Sequence, residues 1–545
     1  MLIIASSAYC TPELQSEFGQ LPPAFLPFGN RRLYEHQLAL AGEAYDEVYL
    51  SLPWTFVPTD FDLARLRSLN VEIVRVPVGL TTGEAIWFLL EQLGTDRRVD
   101  ILYGDTLIRD IDFERTNIYA VATPTDNYPW GYCTGASDRP PSNQPRVIAG
   151  YFSFARGADL ATALDAAGND FLAAVHQYHD DVGPLQPAIV EEWHDFGHLT
   201  TYYRSRTQVT TERCFNRLQI SRAGVTKAGS NADKLRAEAH WFQQIPPALR
   251  RFTPQFLGED TSADAYSYSL EYLHLPPLND LFVFGDLPPF VWQGIFSACD
   301  EFLTAAAAHV RQPLVDVQQR YLDHTLHRLG TYARQAGTSL SREWTINGRA
   351  VPSLERVVRD CYDEVLSRDM RQPLAIVHGD YCFSNILYDF RARQVKVIDP
   401  RGLGVDGAPS ILGDVRYDIG KLTHSVMGLY DFIVADRFRL AESGAAFDLE
   451  LPFQEVRPIQ QLFGRCRFLG RRPAEWSGHA VATLLFLAML PLHADSPKRQ
   501  RALLANALRL YVEREQSHDR DSDGGTELQI HPGGLPVAQI HARSA

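Results

Sequence analysis

The sequence predicts an α/β domain with a largely parallel sheet, followed by an α+β domain and a C-terminal tail. Strand-like apolar runs alternate with helical patterns over roughly the first 160 residues, an order typical of a parallel sheet covered by helices. From residue 210, strand-like runs precede long helical stretches, which is typical of an α+β domain. After residue 515 the chain turns to Asp, Gly, Pro and His without periodicity, as disordered segments do. The predicted boundaries are 1–205, 210–515 and 516–545.

Composition restricts the classes of function. The chain has 545 residues, 52 Lys and Arg against 66 Asp and Glu, and a net charge of −14. This charge repels nucleic acids and anionic membranes, so neither is expected as a primary partner. No apolar run approaches the ~20 residues of a membrane span. Seven cysteines without a CxxC pair are typical of a reducing compartment, and a cytoplasmic location is predicted.

Each domain has its own pattern of elements. In the first, strands are predicted at 1–6, 47–51, 71–76, 100–103 and 118–122, and helices at 33–42, 60–69 and 83–93. In the second, strands are predicted at 215–220, 223–227 and 266–273, and helices at 231–244, 289–337, 353–367, 476–492 and 498–514. Ligands of a parallel sheet bind at the carboxyl ends of its strands. The first domain is therefore expected to hold a ligand where those strands end.

The segment 375–402, AIVHGDYCFSNILYDFRARQVKVIDPRG, carries the strongest chemical signal. Two apolar strands each lead to an acidic residue, Asp380 and Asp399, and Asn385 lies five positions after the first. Phosphoryl transfer from ATP needs a carboxylate at the accepting hydroxyl and two oxygen ligands for Mg²⁺. These three side chains supply that set.

Here the chain resembles the aminoglycoside phosphotransferase and choline kinase family, which has a protein-kinase-like fold. The family's HGDxxxxN motif stands as His378, Gly379, Asp380 and Asn385, and its metal-binding aspartate as Asp399. The resemblance implies that Asp380 is the catalytic base and that Asn385 and Asp399 bind Mg²⁺. It also implies ATP as the phosphoryl donor. A turn in which Asn385 caps the following segment is the alternative interpretation.

The same resemblance assigns the nucleotide site. Lys227 ends the run AGVTK, and Glu238 follows eleven residues later in a predicted helix, an order that fits the kinase lysine–glutamate pair. Glu271 and Leu273 would form the hinge that contacts adenine through its backbone. The expected Gly-rich loop is degenerate, with Gly224 as its one glycine between 215 and 224.

Downstream, the segment GDVRYDIGKLTHS contains Asp414 and Asp418. The resemblance suggests that both aspartates brace the catalytic loop. Helix capping is the alternative role for Asp414, since aspartate is a favoured N-cap residue.

The first domain resembles the sugar-nucleotidyltransferase family. The resemblance rests on LPPAFLPFGNRRLYEHQL at 21–38, GLTTGEA at 79–85 and YGDTLI at 103–108. It implies a Rossmann-like nucleotidyltransferase sheet in which Asp105 binds Mg²⁺. The later segment WHDFGH offers Asp195 as a second metal-binding aspartate.

One departure from that family bears on activity. The triphosphate-binding loop GxGTR is replaced by SSAYC at 6–10, and Pro23-Ala24 stands where Pro-Lys is expected. A missing donor at a reacting phosphate costs about 3 kcal/mol, roughly a hundredfold in rate. Nucleotidyl transfer, ligand binding without turnover, and a merely structural role for Asp105 all remain open.

The function predicted from sequence is Mg·ATP-dependent phosphorylation of a hydroxyl on a small polar metabolite: a sugar, polyol or amino alcohol. By analogy, the fusion suggests precursor synthesis for capsule or other surface polysaccharide. The alternatives are a bifunctional kinase and nucleotidyltransferase, and a non-catalytic scaffold of two retired enzyme folds. An antibiotic-modifying kinase is disfavoured because the first domain would have no use in such an enzyme.

Overall fold

The computed structural model describes residues 1–125, 128, 146–208, 216–221, 224–229, 231–261, 266–314, 318–367, 373–404 and 406–522. The predicted excursion at 127–145, part of the degenerate phosphate loop and the tail beyond 522 lie outside these residues, apart from Tyr128. No helix within the described ranges combines the length and apolar character needed to cross a bilayer.

The first 208 residues form the N-terminal module. Its strands are β1 Leu2–Ala5, β2 Pro27–Phe28, β3 Arg31–Arg32, β4 Val48–Pro53, β5 Val71–Val76, β6 Val99–Tyr103, β7 Thr106–Ile108, β8 Ile118–Ala122, β9 Val147–Phe154, β10 Gln186–Ile189 and β11 Trp193–Asp195. Its helices are α1 Pro12–Phe18, α2 Leu33–Ala41, α3 Asp60–Ser68, α4 Thr82–Leu93, α5 Gly157–Ala166, α6 Phe171–Asp181 and α7 Leu199–Gln208.

A seven-stranded sheet in the order β10-β8-β9-β6-β1-β4-β5 is the centre of this module. Neighbouring strands pair in parallel except at β9, which is antiparallel to both β6 and β8. Apolar residues of β1 and β6 are buried on both faces, as expected for strands covered by helices. The register of β1 on β6 brings Ala5 beside Tyr103, so the two strands end at the same edge. The predicted α/β fold is confirmed.

The remaining described residues form the C-terminal module. Its strands are β12 Asn216–Ser221, β13 Gly224–Gly229, β14 Phe256–Asp260, β15 Ser267–Leu270, β16 Val310–Leu314, β17 Trp344–Ile346, β18 Arg349–Val351, β19 Pro373–Ile376, β20 Ile386–Asp389, β21 Gln394–Val397, β22 Leu412–Gly413, β23 Arg439–Ser443 and β24 Ala446–Glu450. Its helices are α8 Ala232–Gln244, α9 Leu278–Phe284, α10 Pro289–Ala307, α11 His324–Ala336, α12 Leu354–Ser367, α13 Val415–Val426, α14 Tyr430–Val434, α15 Phe453–Arg465, α16 Gly478–Met489 and α17 Pro497–Ser522.

This module has a small sheet lobe and a larger helical lobe. The sheet β12-β13-β15-β14 is antiparallel throughout, and α8 packs against it. Helix α16 packs against both α13 and α17 in the helical lobe, and its residues 480–487 are buried in the core. A strand lobe carrying a helix, followed by a helical lobe, is the predicted kinase-like α+β fold, which is confirmed.

Two details differ from the sequence prediction. The stretch 289–337 is not continuously helical, because β16 and a π-helical turn at Gln318–Asp323 separate α10 from α11. Helix α17 continues to Ser522, past the predicted start of the tail at 516.

The two modules share a buried polar interface. The carboxylate of Asp62, at the start of α3, is fully buried between Arg32 of the N-terminal module and Arg437 of the C-terminal module. Arg32 also donates to the carbonyl of Phe284 at 2.6 Å. Burial disfavours the charged form of Asp62, but the two guanidinium groups outweigh it and hold the pKa of this carboxyl below its usual range. A second pair, Arg206 with Asp280 at 2.7 Å, also crosses the interface.

Candidate active site

The loop after β19 is held by a buried aspartate on α13. Asp418 accepts hydrogen bonds from the backbone N–H groups of His378 at 2.7 Å and Gly379 at 2.8 Å. Burial raises the pKa of Asp418 to about 7, although both hydrogen bonds favour its charged form. His378 is fully buried, its Nε2 lies 2.9 Å from the carbonyl of Ile398, and burial lowers its pKa to about 4. A neutral, fixed imidazole is a structural part of the loop.

Asp380 and Asn385, predicted to act together, are in direct contact. The side-chain amide of Asn385 donates to Oδ2 of Asp380 at 3.0 Å and to its backbone carbonyl at 2.9 Å. The amide nitrogen is used inside the loop. The side-chain oxygen of Asn385, which also accepts from the Ser384 hydroxyl at 3.4 Å, is therefore the atom that can face a cation.

Lys421 of α13 is a site residue that the motif analysis missed. Its Nζ lies 2.8 Å from Oδ1 of Asp380. Burial alone would raise the pKa of Asp380, but Lys421 outweighs it and lowers the pKa to about 2. Asp418 and Lys421 are three residues apart on one helix and therefore lie on the same face. That spacing, together with the predicted bracing role of Asp418, is the feature of the sequence that could have placed Lys421 near the loop.

A second cluster joins the sheet lobe to the loop after β21. Lys227 of β13 contacts Glu238 of α8 at 2.5 Å and Asp399 at 3.1 Å. Tyr268 donates to the same carboxylate oxygen of Glu238 at 2.7 Å. Burial opposes the charge of Lys227, yet the two carboxylates raise its pKa. The predicted pairing of Lys227 with Glu238 is thus present in the geometry, with Asp399 as a third member.

Backbone geometry fixes the position of Asp399. Its φ of 55° is in the left-handed region, an uncommon conformation for a residue other than glycine. Three residues later, Gly402 has a φ of +64°, and a Cβ there would lie 2.0 Å from the carbonyl oxygen of Ala237. Only glycine allows this approach to α8, so the loop and the helix carrying Glu238 are held together.

The predicted hinge residues follow β15. The N–H of Glu271 donates to the carbonyl of Gln255 at 2.9 Å, and the carbonyl of Leu273 accepts from Leu275 at 2.9 Å. A planar base meeting this segment would therefore use the carbonyl of Glu271 and the N–H of Leu273. Contact between the hinge and adenine stays a prediction.

Asp414 caps helix α13 and also belongs to a buried network of polar side chains. It is the N-cap of α13, accepting from the N–H of Arg416, and it forms an ion pair with the same arginine at 2.7 Å. Tyr321 donates to it at 2.9 Å. This network fixes the start of the helix that carries Asp418 and Lys421.

The N-terminal module has a cavity of about 280 Å³ where β1 and β6 end. It is lined by residues 5–11 and by parts of α4, with Asp105 and Gly197 at its edge. A Cβ at Gly197 would be 2.6 Å from Oδ2 of Asp105 and 3.4 Å from Oδ1 of Asp195, so the two predicted metal ligands do lie near each other. Burial raises the pKa of Asp105. None of the described residues lining the cavity is Lys, Arg or His.

Among the described residues, the donor sets of the two modules differ in how well they fit a divalent cation bound with a nucleotide. Within the described ranges no three His, Cys, Asp or Glu side chains come together as a metal site. Mg²⁺ commonly takes one or two protein oxygens together with substrate phosphates, and Asp399 with Asn385 fits that use. The described lining of the cavity offers Asp105 no lysine or arginine to hold a triphosphate. His198 is near enough to Asp105 to oppose the rise of its pKa, but the described residues fit the metal–nucleotide expected from the resemblance poorly.

Comparisons with known proteins gave structural similarities alone. No protein-family profile matches the sequence, and no curated protein is significantly similar to it. The inositol-1-phosphate CTP transferase from T. maritima is 14% identical over 37% of this chain and 89% of its own, with a TM-score of 0.28. A glucosamine kinase is 13% identical over 59% and 87%, with a TM-score of 0.34. The ethanolamine kinase of Plasmodium vivax is 13% identical over 58% and 89%, with a TM-score of 0.28. The fold described above rests on its own strand order and contacts.

Proposed function

We propose that the C-terminal module is a Mg·ATP-dependent phosphotransferase that acts on a hydroxyl of a small polar metabolite. The observation that carries the proposal is the chain of contacts from Glu238 through Lys227 to Asp399, beside the loop of Asp380 and Asn385. Kinases place a lysine–glutamate pair, a metal-binding Asp and a catalytic Asp in this way.

Each residue has a role in the proposed reaction. Lys227 would hold the phosphates of ATP, oriented by Glu238. Asn385 and Asp399 would hold Mg²⁺, which when bound neutralises phosphate charge. Asp380 orients the acceptor hydroxyl. The hydroxyl oxygen bonds to the γ-phosphorus of ATP as the bond from that phosphorus to the ADP oxygen breaks. Asp380 receives the proton of the hydroxyl. With a pKa of about 2, Asp380 is ionised at neutral pH and acts chiefly by orientation.

Lys421 supports this arrangement electrostatically. Its ammonium lies 2.8 Å from Asp380, beside the proposed site of phosphoryl transfer. A fixed cation at that position stabilises negative charge that develops on the transferring group, without reorganising. The proposed catalytic set therefore includes Lys421.

The proposal is tested by ATP consumption. Wild-type protein is incubated with Mg·ATP and a panel of sugars, polyols and amino alcohols, and ADP release is measured. Asp380→Asn is expected to lower the rate with the best acceptor by 10²–10⁴-fold and to leave Mg·ATP binding unchanged. Asp363→Asn, on the exposed side of α12, is the matched control and should behave as wild type. No ADP release above a protein-free blank with any acceptor would support the scaffold alternative, and equal rates for Asp380→Asn and wild type would contradict the role assigned to Asp380.

The cavity of the N-terminal module favours ligand binding without nucleotidyl transfer. Its lining supplies hydroxyl groups and one carboxylate, Asp105, while the cationic loop expected for a triphosphate is absent from the sequence at 6–10. A bifunctional enzyme remains the alternative, and a role in surface polysaccharide synthesis stays a prediction.

A further inference from the structure

A group of cations surrounds Tyr417 on the side of α13 that faces Asp380. The guanidinium carbon of Arg320 lies 4.3 Å from the centre of the Tyr417 ring, and that of Arg401 lies 5.8 Å from it. Arg401 also donates to the hydroxyl of Tyr417 at 3.1 Å. Lys421, four residues further along α13, contacts Asp380. These four side chains place three positive charges at the proposed transfer site.

Two of the three cations have no carboxylate partner. Among the described residues, neither Arg320 nor Arg401 forms an ion pair, although Arg320 is only 7% exposed. Elsewhere in this protein the buried arginines are paired with carboxylates, as Arg416 is with Asp414 and Arg437 with Asp62. Buried charge without a partner is costly. The unpaired arginines therefore mark a position that an anion would stabilise.

Neighbouring groups do not balance this charge. His324 and Arg328, at the start of α11, face the same arginines. Burial, together with Arg401, Arg328 and Arg320, lowers the pKa of His324 to about 4. Two carboxyl groups face these cations. Arg320 faces Asp418, whose hydrogen bonds go to the backbone of His378 and Gly379, and Arg401 faces Asp380, which already pairs with Lys421. The local excess of positive charge contrasts with the net charge of −14 of the whole chain.

We propose that the acceptor is an anion: a small hydroxyl compound that also carries a phosphate or carboxylate group, bound by Arg320 and Arg401 beside Asp380. This inference rests on the proposed kinase function and names its substrate class. The guanidinium fork matches both anionic groups bidentately. A cationic acceptor such as an amino sugar or amino alcohol would meet three like charges instead.

The test compares four matched sugars in the full-length protein with Mg·ADP bound. Glucose 1-phosphate and glucuronate carry the two anionic groups, glucose is neutral and glucosamine is cationic. Isothermal titration is expected to give at least tenfold lower Kd values for one or both anionic sugars than for glucose or glucosamine. Arg401→Gln and Arg320→Gln are each expected to weaken that binding about 10- to 100-fold.

Controls separate the acceptor from the nucleotide. The Kd of Mg·ADP should stay within twofold in both arginine variants, and Arg359→Gln, on the exposed side of α12, should change neither ligand. Arg401→Lys, which keeps the charge and loses the fork, should retain part of the anion affinity. Partial anion affinity in Arg401→Lys would show that the loss of affinity in Arg401→Gln comes from the lost charge and not from misfolding.

Three results would overturn the inference: equal or tighter binding of glucose or glucosamine, no binding of either anionic sugar, or weaker Mg·ADP binding as the sole effect of the arginine variants. Absence of ADP release from ATP with every acceptor is a different failure. If anion binding and its dependence on Arg401 persist in that case, the anion site is supported and the kinase proposal is not.

Discussion

The ammonium group of Lys421 lies 2.8 Å from Oδ1 of Asp380, and both residues are positioned by the same helix. Asp418, one turn before Lys421 on α13, accepts hydrogen bonds from the backbone of His378 and Gly379. Helix α13 therefore sets both the path of the loop after β19 and the charge state of Asp380.

Replacing Lys421 should change the pH dependence of catalysis. In Lys421→Met the cation that lowers the pKa of Asp380 to about 2 is lost, while the burial that raises it remains. The pKa of Asp380 should then rise to its ordinary ~4 or above. Because the ionised form orients the hydroxyl, the acidic limb of the kcat profile should move to higher pH by about two units or more. An unmoved acidic limb would show that Lys421 does not control Asp380.

Replacing Lys227 should weaken nucleotide binding and stability together. Lys227→Met leaves Glu238 and Asp399 without their shared cation in a buried site. We expect the Kd of Mg·ATP to rise at least tenfold and the free energy of unfolding to fall by about 3 kcal/mol.

Lys234, 53% exposed and 3.7 Å from Glu238, is the control, and Lys234→Met should cost less than about 1 kcal/mol. Titration calorimetry and urea unfolding measure the two effects, and unchanged nucleotide affinity in Lys227→Met would contradict the assignment.

Stability should depend on pH through Asp431 of α14. Burial raises the pKa of this carboxyl to about 7, against ~3.9 in an unfolded chain. Between these values the native state binds a proton that the unfolded state lacks, so the free energy of unfolding falls as pH rises through this window. Asp431→Asn removes this dependence. The stability of the variant relative to wild type should therefore rise by about 4 kcal/mol between pH 4 and pH 8.

The control for this measurement is Asp495→Asn, at a site 62% exposed, which should change little with pH. A difference between Asp431→Asn and wild type that is the same at both pH values would mean that Asp431 is ionised throughout.

The module interface should depend on Asp62. Asp62→Ala leaves Arg32 and Arg437 buried without their carboxylate, which should cost about 3–5 kcal/mol. Urea unfolding monitored by tryptophan fluorescence measures this cost, and limited proteolysis should show the modules separating in the variant. Glu35→Gln breaks the pair with Arg65, which is 46% exposed, and should cost less than about 1 kcal/mol. Equal free energies of unfolding for Asp62→Ala and Glu35→Gln would show that Asp62 does not stabilise the interface between the modules.

The N-terminal module should fail to catalyse nucleotidyl transfer. Incubation with CTP, UTP, GTP or dTTP and a sugar phosphate should release no pyrophosphate above a protein-free blank, because the described cavity lining contains no cation to hold a triphosphate. Asp105→Asn, measured alongside, should give the same result. Pyrophosphate release that Asp105→Asn abolishes would establish the bifunctional alternative.

Motif spacing predicted the elements that follow one another closely in sequence. The loop of Asp380 and Asn385 and the pairing of Lys227 with Glu238 were accessible because local strands and helices position them. The contacts of Lys421 with Asp380 and of Arg437 with Asp62 depend on tertiary packing, which periodicity does not encode. The break of the 289–337 helix at β16 has a similar cause, since Val310 of β16 pairs with Ala375 of β19, 65 residues downstream.

The Arg32–Asp62–Arg437 cluster has a practical consequence for anyone dividing this chain for expression. A fragment that begins near residue 210 would expose Phe284 to solvent and leave the Arg437 guanidinium without its counter-ion. The isolated C-terminal module is thus expected to be poorly soluble unless residues 1–208 are co-produced, so enzymology on the intact polypeptide is the sounder starting point.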